Sequence, residues 1–404
     1  MFNLLLYSLS TDDLRIETAE PTNVSEGCRG DGNRTHGDRA GERRGGSTVY
    51  RHGGNPRQLE REGFTVAHEI TGANVYLVYG PADADPENAQ GVEGAFEDLS
   101  YEVDPPASEQ ADEQEDLTGE QWDKELIEAF EAHETATGAG TRLGILDTGV
   151  DDSHPDLGNV DTGASRTFVG WEESGHTGDV QSHGTHVAGI AGADGAIVGV
   201  APDADLVSLR VFGETGGANV GDSFLALDYA AELGLDAVNM SIGSAPQPPE
   251  DNQEGFRIAR QRVVRSVVQR GTTVVTSAGN DSQNLQQGGW ISLWGSLPQA
   301  TSVSATTEDD ELASFSNYGA NEISVGAPGE SVLSTVPGGY AYFSGTSMSA
   351  PQVTGLVGLV RELAPDLNAN QVENTIERGA EGSGRGDPET GAGRINARET
   401  VESL

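Results

Sequence analysis

A short apolar run ends in an acidic residue on a glycine turn at Leu143-Gly-Ile-Leu-Asp-Thr-Gly149. Such a run, bounded by a turn, is typical of a strand that is buried on both faces of a parallel sheet. Functional groups in these sheets follow the carboxyl ends of the strands, which makes Asp147 a candidate site residue. The Asp-x-Gly turn is also common as a purely structural element, so this segment alone leaves both interpretations open.

Similar apolar runs recur along the rest of the chain and alternate with helical patterns. Strand character is found at residues 206–212, 237–242, 272–276 and 301–305. Helical spacing links Leu225, Tyr229 and Leu233, and it recurs among the apolar residues between positions 353 and 360. This alternation predicts an α/β fold over residues 117–404, in which helices cover both faces of a mainly parallel sheet.

The chain carries a very large excess of acidic residues. Its 404 residues include 65 acidic and 23 basic side chains, and the formal net charge is −42. Lys124 is the single lysine, and all other basic residues are arginine. Phosphate backbones and anionic lipid surfaces would repel such a protein, which disfavours nucleic-acid and membrane-surface functions. The composition favours a protein adapted to molar salt, because salt screens the repulsion between its acids.

The residues before position 117 divide into two parts. Residues 1–62 are rich in arginine and glycine and lack hydrophobic periodicity, which predicts disorder. Residues 63–116 are acidic, have strand character at 65–79 and 100–103, and end in a polar linker over 104–116. No apolar run reaches the length of a membrane span, and no convincing signal peptide is found. The single cysteine, Cys28, excludes an internal disulfide.

Two further motifs contain residues that are suited to catalysis. In His183-Gly-Thr-His-Val-Ala-Gly189 a histidine begins a segment of small apolar residues. Its two histidines raise zinc binding as an alternative, although no cysteine or glutamate accompanies them. In Ser344-Gly-Thr-Ser-Met-Ser-Ala-Pro351 a predicted helix begins near Ser347, where developing negative charge is stabilised. A serine that only caps the helix is the alternative for this motif.

Together the three motifs resemble the active-site segments of the subtilisin-like serine proteases, or subtilases, whose triad follows the same order Asp, His, Ser. The resemblance covers about residues 118–400 and is to the halophilic, haloarchaeal halolysin-like type. It implies a subtilisin-like three-layer α/β/α fold with a mainly parallel sheet, preceded by a small α+β prosegment at 63–116. Other similar segments are Gly199-Val-Ala-Pro202, Asn239-Met-Ser-Ile-Gly243, Ser277-Ala-Gly-Asn280, Ala313-Ser-Phe-Ser-Asn-Tyr-Gly319 and Gly391-Ala-Gly-Arg-Ile-Asn396.

The resemblance implies roles for the residues at matching positions. Ser347 is expected to be the nucleophile, His183 the general base and then the general acid, and Asp147 the residue that orients and charge-stabilises the imidazole. Asn280 is expected to donate to the oxyanion together with the backbone N–H of Ser347. Residues expected to pair with an extended polypeptide or to line the primary pocket are Gly216, Gly217, Ala218, Ser241, Ile242, Gly243, Ser277, Ala278 and Gly279.

The implied chemistry requires no cofactor, but the resemblance suggests a structural calcium ion at Asp156. Residues 192–199 weaken that expectation, because they form a shorter loop than the one that carries calcium in many subtilases. Gln352 also departs from the family, which commonly has histidine after the proline. Thr118 and Gln121 resemble a capping box at the start of a helix.

The sequence therefore predicts a secreted, salt-adapted serine endopeptidase made as a zymogen, which acts on extended polypeptides and is inhibited by its own prosegment. A monomer outside the cell is expected, with an intracellular location left open. The alternatives are a catalytically silent subtilase-fold binding or scaffold protein and a dedicated processing protease. We also hypothesise that the prosegment docks on a predicted helix that is rich in arginine. The alternative is that this helix has an ordinary solvated, charged face. Its arginines are Arg257, Arg260, Arg262, Arg265 and Arg270.

Overall fold

A computed structural model describes residues 46–51, 56–80, 90–102, 108–111, 115–243, 254–287, 294–295, 297–382 and 384–404 of the chain. These residues belong to one compact unit, Arg44–Leu404. The predictions for residues 1–45 and for parts of the linker lie outside the described residues.

The described strands and helices are numbered in chain order. The strands are β1 (Gly46–Arg51), β2 (Thr65–Ile70), β3 (Val75–Tyr79), β4 (Val92–Glu97), β5 (Ser100–Glu102), β6 (Ser108–Gln110), β7 (Arg142–Asp147), β8 (Arg166–Val169), β9 (Glu172–Gly175), β10 (Asp205–Arg210), β11 (Gly217–Asn219), β12 (Ala237–Met240), β13 (Thr273–Ser277), β14 (Thr301–Thr306), β15 (Val325–Pro328), β16 (Val332–Val336) and β17 (Gly339–Phe343). The helices are α1 (Arg57–Arg61), α2 (Trp122–Leu126), α3 (Ala129–Ala132), α4 (His183–Gly192), α5 (Val220–Leu233), α6 (Glu254–Gln269), α7 (Thr346–Leu363), α8 (Ala369–Gly379) and α9 (Ala397–Glu402), with 3₁₀ turns at Thr118–Glu120 and Pro155–Leu157.

The central sheet has eight strands in the spatial order β15-β14-β13-β12-β7-β10-β8-β9. Its neighbouring strands are parallel except for the edge hairpin of β8 and β9. The residues from Leu143 to Asp147 are all buried, as expected for a strand at the middle of such a sheet. The apolar runs predicted to be strands correspond to β7, β10, β12, β13 and β14, which confirms the parallel sheet.

Helices cover both faces of this sheet and enclose two apolar cores. One core includes Val187 of α4 and Leu356 of α7, and the other includes Phe224 of α5 and Val263 of α6. The predicted three-layer α/β/α fold is confirmed. Within the described part of the chain no helix combines the length and the hydropathy that a membrane span requires.

A second, four-stranded antiparallel sheet precedes the central one. Its strand order is β2-β3-β1-β4, and its outer core contains Leu59, Phe64, Tyr76 and Val78. The sheet begins at Gly46, so the boundary predicted at residue 62 lies too late. A six-residue strand beside arginine- and glycine-rich sequence shows no periodicity of its own, and its position is set by backbone pairing with β3 and β4.

Two short strands connect this small sheet to the larger domain. β5 pairs antiparallel with β11, and β6 pairs antiparallel with β17. The predicted linker at 104–116 therefore contains a paired strand at Ser108–Gln110, because the edge of β17 offers it backbone hydrogen bonds.

Candidate active site

Asp147 and His183 form a buried hydrogen-bonded pair at the carboxyl end of the central sheet. Asp147 is the last residue of β7 and His183 the first of α4, and Nδ1 of the histidine lies 2.7 Å from Oδ1 of the carboxylate. The side chain of His183 is 2% exposed and that of Asp147 is 0% exposed. Burial disfavours the imidazolium, but the charge and hydrogen bond of Asp147 outweigh it and, with Asp179, raise the pKa of His183. The pair can accept a proton on the histidine and stabilise the resulting charge.

Two glycines allow the backbones around this pair to approach closely. A Cβ atom on Gly184 would lie 2.0 Å from the carbonyl oxygen of Gly149. Gly149 itself has φ of +110° and lies against the carbonyl of Gly178. Side chains at these positions would separate β7 from α4, which explains why a glycine stands near each of the two functional residues.

Asp179, whose role the sequence does not predict, organises the start of α4. Its Oδ1 accepts hydrogen bonds from the backbone N–H groups of Gln181 and Ser182 and from the hydroxyl of Thr148. Its Oδ2 accepts from both the N–H and the hydroxyl of Thr185. These contacts hold the residues on both sides of His183. The signal was its position just before the histidine motif, but a single acid in a loop does not indicate its partners.

Ser347 lies in the first turn of α7, where Gly345 is the N-cap. Its hydroxyl donates to the carbonyl oxygen of Ser241 at 3.2 Å, and the Ser241 hydroxyl donates to the carbonyl oxygen of Ser347 at 2.7 Å. The alternative of a serine that only caps the helix is therefore wrong. Among the described residues no hydrogen bond joins Ser347 to His183, and the Ser347 hydroxyl donates to Ser241 instead.

Asn280 follows β13 and faces the same turn of α7. Its Oδ1 accepts from the N–H of Thr346 at 2.8 Å and from the Thr346 hydroxyl at 2.9 Å. Its Nδ2 points over Gly345, where a Cβ atom would lie 3.3 Å from that nitrogen and 3.7 Å from the Ser347 nitrogen. Nδ2 of Asn280 and the backbone nitrogen of Ser347 therefore both lie beside Gly345.

A second asparagine, Asn317, shapes the turn that carries Asn280. It donates to the carbonyl of Ala278 at 3.0 Å and accepts from the N–H groups of Asp281 and Gln283. Its Nδ2 also fills the space that a side chain on Gly279 would need. Asn317 lies in the segment 313–319 that resembles the family, yet only the tertiary contact reveals this supporting role.

The predicted substrate-binding residues fall on three edges of the site. Gly217 and Ala218 lie in β11, with Gly216 in the preceding turn, and β5 already pairs with this edge. Ser241, Ile242 and Gly243 follow β12, and Ser241 contacts Ser347. Ser277, Ala278 and Gly279 lie at the end of β13 beside the Asn280 turn.

The surroundings of Asp156 do not fit the suggested calcium ion. Its Oδ2 accepts from the N–H of Ile197 at 3.1 Å and from the hydroxyl of Tyr340 at 3.0 Å, so protein donors face the carboxylate. The amide of Gln121 pairs with the N–H and carbonyl of Val198, both at 2.9 Å, instead of forming the predicted capping box. The described residues contain no group of three acidic, histidine or cysteine side chains placed to hold a metal.

The zinc alternative for the two histidines also finds no support in the geometry. His186 is buried, bonds through Nε2 to the carbonyl of Ala341, and stacks on Phe343 at a centroid distance of 4.1 Å. Burial, assisted by the charges of His183 and Lys124, lowers the pKa of His186 to about 3. Its ring is therefore a neutral part of the core, away from the Asp147 contact.

Gln352 ties the serine helix to α2. Its Nε2 donates to Asp123 at 2.6 Å, and its Oε1 accepts from Lys124 at 3.1 Å. Lys124, the single lysine, also forms a buried ion pair with Asp123 at 2.5 Å. The departure from histidine at this position is thus matched by two polar partners in α2.

The small sheet docks on α5 and α6 mainly through apolar side chains. Ile70, Leu77 and Phe96 share a buried cluster with α6 residues, and the rings of Phe96 and Phe256 lie 5.1 Å apart. Of the arginines singled out in the sequence, Arg262 pairs with Glu93 of the small sheet at 2.5 Å. Arg270 instead pairs with Asp228 of α5, and Arg260 lies over the Phe256 ring. The arginine helix is a docking surface, but apolar contacts dominate it.

The sequence and the fold of this chain are similar to those of known proteins. A model of the subtilase family matches residues 138–394. M-protease of Shouchella clausii is 37% identical over 315 residues, which cover 76% of this chain and 77% of that protein. An intracellular serine protease of Paenibacillus polymyxa is 35% identical over 271 residues, which cover 63% of this chain and 80% of that protein.

Among solved structures, the epidermin leader peptide processing serine protease of Staphylococcus aureus has a similar fold. The TM-score is 0.76 at 21% identity, over 90% of this chain and 99% of that one. At this identity the likeness concerns the fold alone.

Proposed function

Since this chain belongs to the subtilase family and is a serine endopeptidase, we propose that Ser347, His183 and Asp147 form its catalytic triad. The observation that carries the proposal is the buried 2.7 Å contact between Asp147 and Nδ1 of His183. That bond leaves Nε2 of the histidine to serve the serine, which lies at the same end of the sheet. The catalytically silent alternative would require a defect at one of these positions, and each holds a competent side chain.

The proposed reaction uses these side chains and water. Oγ of Ser347 attacks the peptide carbonyl carbon while Nε2 of His183 takes its proton, and the carbonyl oxygen becomes an oxyanion. The intermediate collapses, the peptide C–N bond breaks, and His183 returns the proton to the leaving amine. Water, deprotonated by His183, then hydrolyses the acyl-enzyme and restores Ser347. No cofactor takes part in these steps.

The oxyanion is proposed to accept hydrogen bonds from Nδ2 of Asn280 and from the N–H of Ser347. Oδ1 of Asn280 is anchored by Thr346, so the amide is oriented before substrate binds. Such oriented donors need no reorganisation during the reaction, which is why they stabilise the transition state strongly.

Substrate binding is proposed to release the Ser347 hydroxyl from its present acceptor. An extended polypeptide would donate a backbone N–H to the carbonyl of Ser241, the atom that Ser347 now uses. The displaced hydroxyl can then turn to His183. The edges at Gly216–Ala218 and Ser241–Gly243 would form main-chain hydrogen bonds with the two sides of an extended substrate.

The small sheet is proposed to be an inhibitory prosegment. β5 occupies the β11 edge by antiparallel pairing, with Tyr101 opposite Ala218. A substrate strand needs the same edge, so the prosegment and an extended substrate exclude each other. Cleavage within residues 104–118 would free the edge and produce the mature enzyme.

The proposed setting is a monomeric, extracellular enzyme at high salt. The net charge of −42 supports salt adaptation, because a Debye length of about 3 Å at 1 M screens the acidic surface. The donors around Asp156 argue against calcium at that position. A dedicated processing role is the second candidate, and the breadth of cleavage of a denatured protein distinguishes it from general proteolysis.

The test compares the full chain with Ser347→Ala and with the matched control Ser349→Ala, all refolded in about 3 M salt. Ser349 is a buried serine of the same helix. The unmutated chain and the control are expected to trim themselves within residues 104–118, as seen by intact mass, and to digest denatured casein. Ser347→Ala is expected to stay at full length. If all three fold by circular dichroism yet none cleaves, the triad proposal fails and the scaffold alternative replaces it.

A further inference from the structure

Tyr101 is the one residue of β5 whose side chain enters the larger domain. Its neighbours Ser100 and Glu102 are exposed, whereas Tyr101 is only 6% exposed, as the alternation of side chains along a strand requires. Since β5 lies on the edge that a substrate would use, Tyr101 shows what the pocket behind Ala218 accepts.

The pocket meets the tyrosine with one aromatic wall and one hydroxyl group. The ring of Tyr101 stands edge-on to Phe212 at a centroid distance of 5.6 Å and an interplanar angle of 89°. Its hydroxyl lies 2.5 Å from Oγ of Ser223, a fully buried residue in the first turn of α5. Ser223 has one further contact, a long 3.5 Å bond to the carbonyl of Asn219.

Resting on the proposed peptidase function, we infer that the mature enzyme selects tyrosine over phenylalanine at the substrate position that pairs with Ala218, and that Ser223 is the residue that makes this distinction. Phe212 supplies the aromatic preference, and Ser223 supplies the partner of the phenol. The small residues Gly217 and Ala218 of β11 leave room for an aromatic ring beside the strand.

The distinction follows from the cost of an unpaired buried hydroxyl. A phenylalanine would fill most of the same volume but leave Oγ of Ser223 with the long bond to Asn219 only. An apolar pocket without a polar partner would favour phenylalanine instead, because its ring loses less solvation on burial. The expected direction, tyrosine over phenylalanine, is therefore specific to the Ser223 contact.

The local charges keep the bound phenol neutral. Burial raises the pKa of Tyr101 above its ordinary value, and Asp222, Asp147 and Asp98 add to this effect while the Ser223 bond opposes it. Asp222 stays in the larger domain and would also repel a carboxylate in the pocket. Aspartate and glutamate are therefore expected to be poor residues at this position.

The test uses self-trimmed enzyme and measures kcat/KM for peptides. Cleavage sites in a denatured protein mixture are first aligned by mass spectrometry, and one position on the N-terminal side of the cleaved bond should be enriched in tyrosine. Peptides that differ only there, with tyrosine or phenylalanine, should then differ by about tenfold in kcat/KM. In Ser223→Ala this ratio should fall to about one, whereas Ser174→Ala, an exposed serine control, should keep it.

An equal rate for the two peptides in the unmutated enzyme would overturn the inference, as would a tenfold ratio that survives in Ser223→Ala. If no substrate is cleaved at all, the proposed function fails first and the inference falls with it, so the two failures are distinguishable.

A second measurement needs no catalysis and covers a variant that does not mature. In full-length Ser347→Ala, hydrogen exchange of the β5 amides is compared for Tyr101→Phe, Ser223→Ala and the double variant. Each single change should lower protection by about tenfold, and the double should lower it no further. Additive losses would show that the two hydroxyls are not partners.

Discussion

The corner around Ser347 and the face of α5 and α6 that carries the small sheet are held together by different forces. At the corner, carboxylates and amides such as the half-buried Asp179 and the buried Asn317 fix backbone groups through several short hydrogen bonds each. At the docking face, apolar side chains such as Phe96 and Phe256 form the contact, and polar pairs lie around it. The first arrangement holds each backbone group by directional contacts. The second tolerates small shifts, which suits the proposed role of the small sheet as a removable inhibitor.

This difference predicts that changes in one region leave the other region intact. Changes at the corner around Ser347 are measured by kcat/KM of the self-trimmed enzyme. Changes at the docking face are measured by hydrogen exchange of the small sheet in full-length Ser347→Ala. A change that moves both readouts would contradict the separation.

The largest effect is expected for Asn280→Asp, which tests the corner. The aspartate keeps Oδ1 for Thr346 but removes the Nδ2 donor and adds negative charge beside the oxyanion. kcat is expected to fall by about 10²–10³-fold. Asn284→Asp, in a nearby turn, is the matched control, because Oδ1 of Asn284 also accepts a backbone N–H there. Unchanged kcat in Asn280→Asp would remove this residue from the proposed mechanism.

The next effect tests the apolar docking face with Phe96→Ala. Truncating a buried phenylalanine typically costs about 3–5 kcal/mol, and here the loss falls on the contact with Phe256. Protection of the β5 amides is expected to fall by about 10²-fold or more, since each 1.4 kcal/mol is a factor of ten. Val169→Ala removes an exposed apolar side chain and should leave protection unchanged.

The activity readout completes this comparison. Phe96→Ala in the active chain should speed the release of the prosegment, but kcat/KM of the trimmed enzyme should equal that of the unmutated one. A lower kcat/KM after trimming would show that the small sheet leaves a lasting effect on the corner.

Sequence motifs were enough to predict that Asp147 and His183 lie together, because each residue stands in a short motif of its own. Asp147 and His183 were predicted as partners from two motifs, and they form a direct hydrogen bond because β7 and α4 end at the same edge. The layered fold could be predicted because the apolar runs of its strands and the spacing of apolar residues in its helices are local patterns, which do not depend on distant residues. Polar contacts between distant segments gave no such signal, as the bond between Gln121 and Val198 illustrates.

The docking face shows the same limit. The arginines of α6 predicted a docking surface because a cluster of positive charge is unusual in an acidic chain. The apolar residues that form most of the contact cannot be distinguished in the sequence from ordinary core residues. The inner strand at Gly46–Arg51 was missed because backbone pairing with β3 and β4, rather than its own pattern, sets its position.

A smaller effect is expected from Asp98, which lies between β4 and β5 and joins the small sheet to the larger domain by polar contacts. Its carboxylate accepts from the indole of Trp171 at 2.6 Å and from the N–H of Gly221 at 2.8 Å. Burial raises the pKa of Asp98 to about 6. The two hydrogen bonds oppose this shift, and the negative charge of Asp222 adds to it. A carboxyl group in the unfolded chain has a pKa of about 4, so the folded chain holds this proton more tightly.

The sign of the pH dependence follows from that difference. Between about pH 4 and 6 the folded state binds more protons than the unfolded state, so stability is lost as the pH rises through this range. Asp98→Asn stays neutral and should lack this loss, which amounts to at most about 3 kcal/mol. The groups that face Asp98 are Asp222, Tyr79 and Tyr101, with Glu172 acting on Tyr79.

Urea unfolding of Ser347→Ala with and without Asp98→Asn, from pH 4 to 7 at constant salt, measures this difference. The free energy of unfolding of the parent should fall relative to that of the variant as the pH rises. Glu102→Gln, at an exposed carboxyl of β5, is the control and should run parallel to the parent. Parallel curves for Asp98→Asn would show that Asp98 titrates normally.

The smallest effect is expected for Arg262→Ala, although this arginine belongs to the cluster that the sequence made most conspicuous. The side chains of Arg262 and Glu93 are 25% and 36% exposed, and partly exposed ion pairs contribute about 0–1 kcal/mol. Protection of the β5 amides should therefore fall by less than about fivefold at moderate salt. At about 3 M salt, where the Debye length is shorter than its value of about 3 Å at 1 M, the loss should be smaller still. A loss as large as that of Phe96→Ala, undiminished by salt, would mean that charge rather than apolar packing holds the small sheet. The two regions would then both depend on polar contacts, and the comparison between them would lose its basis.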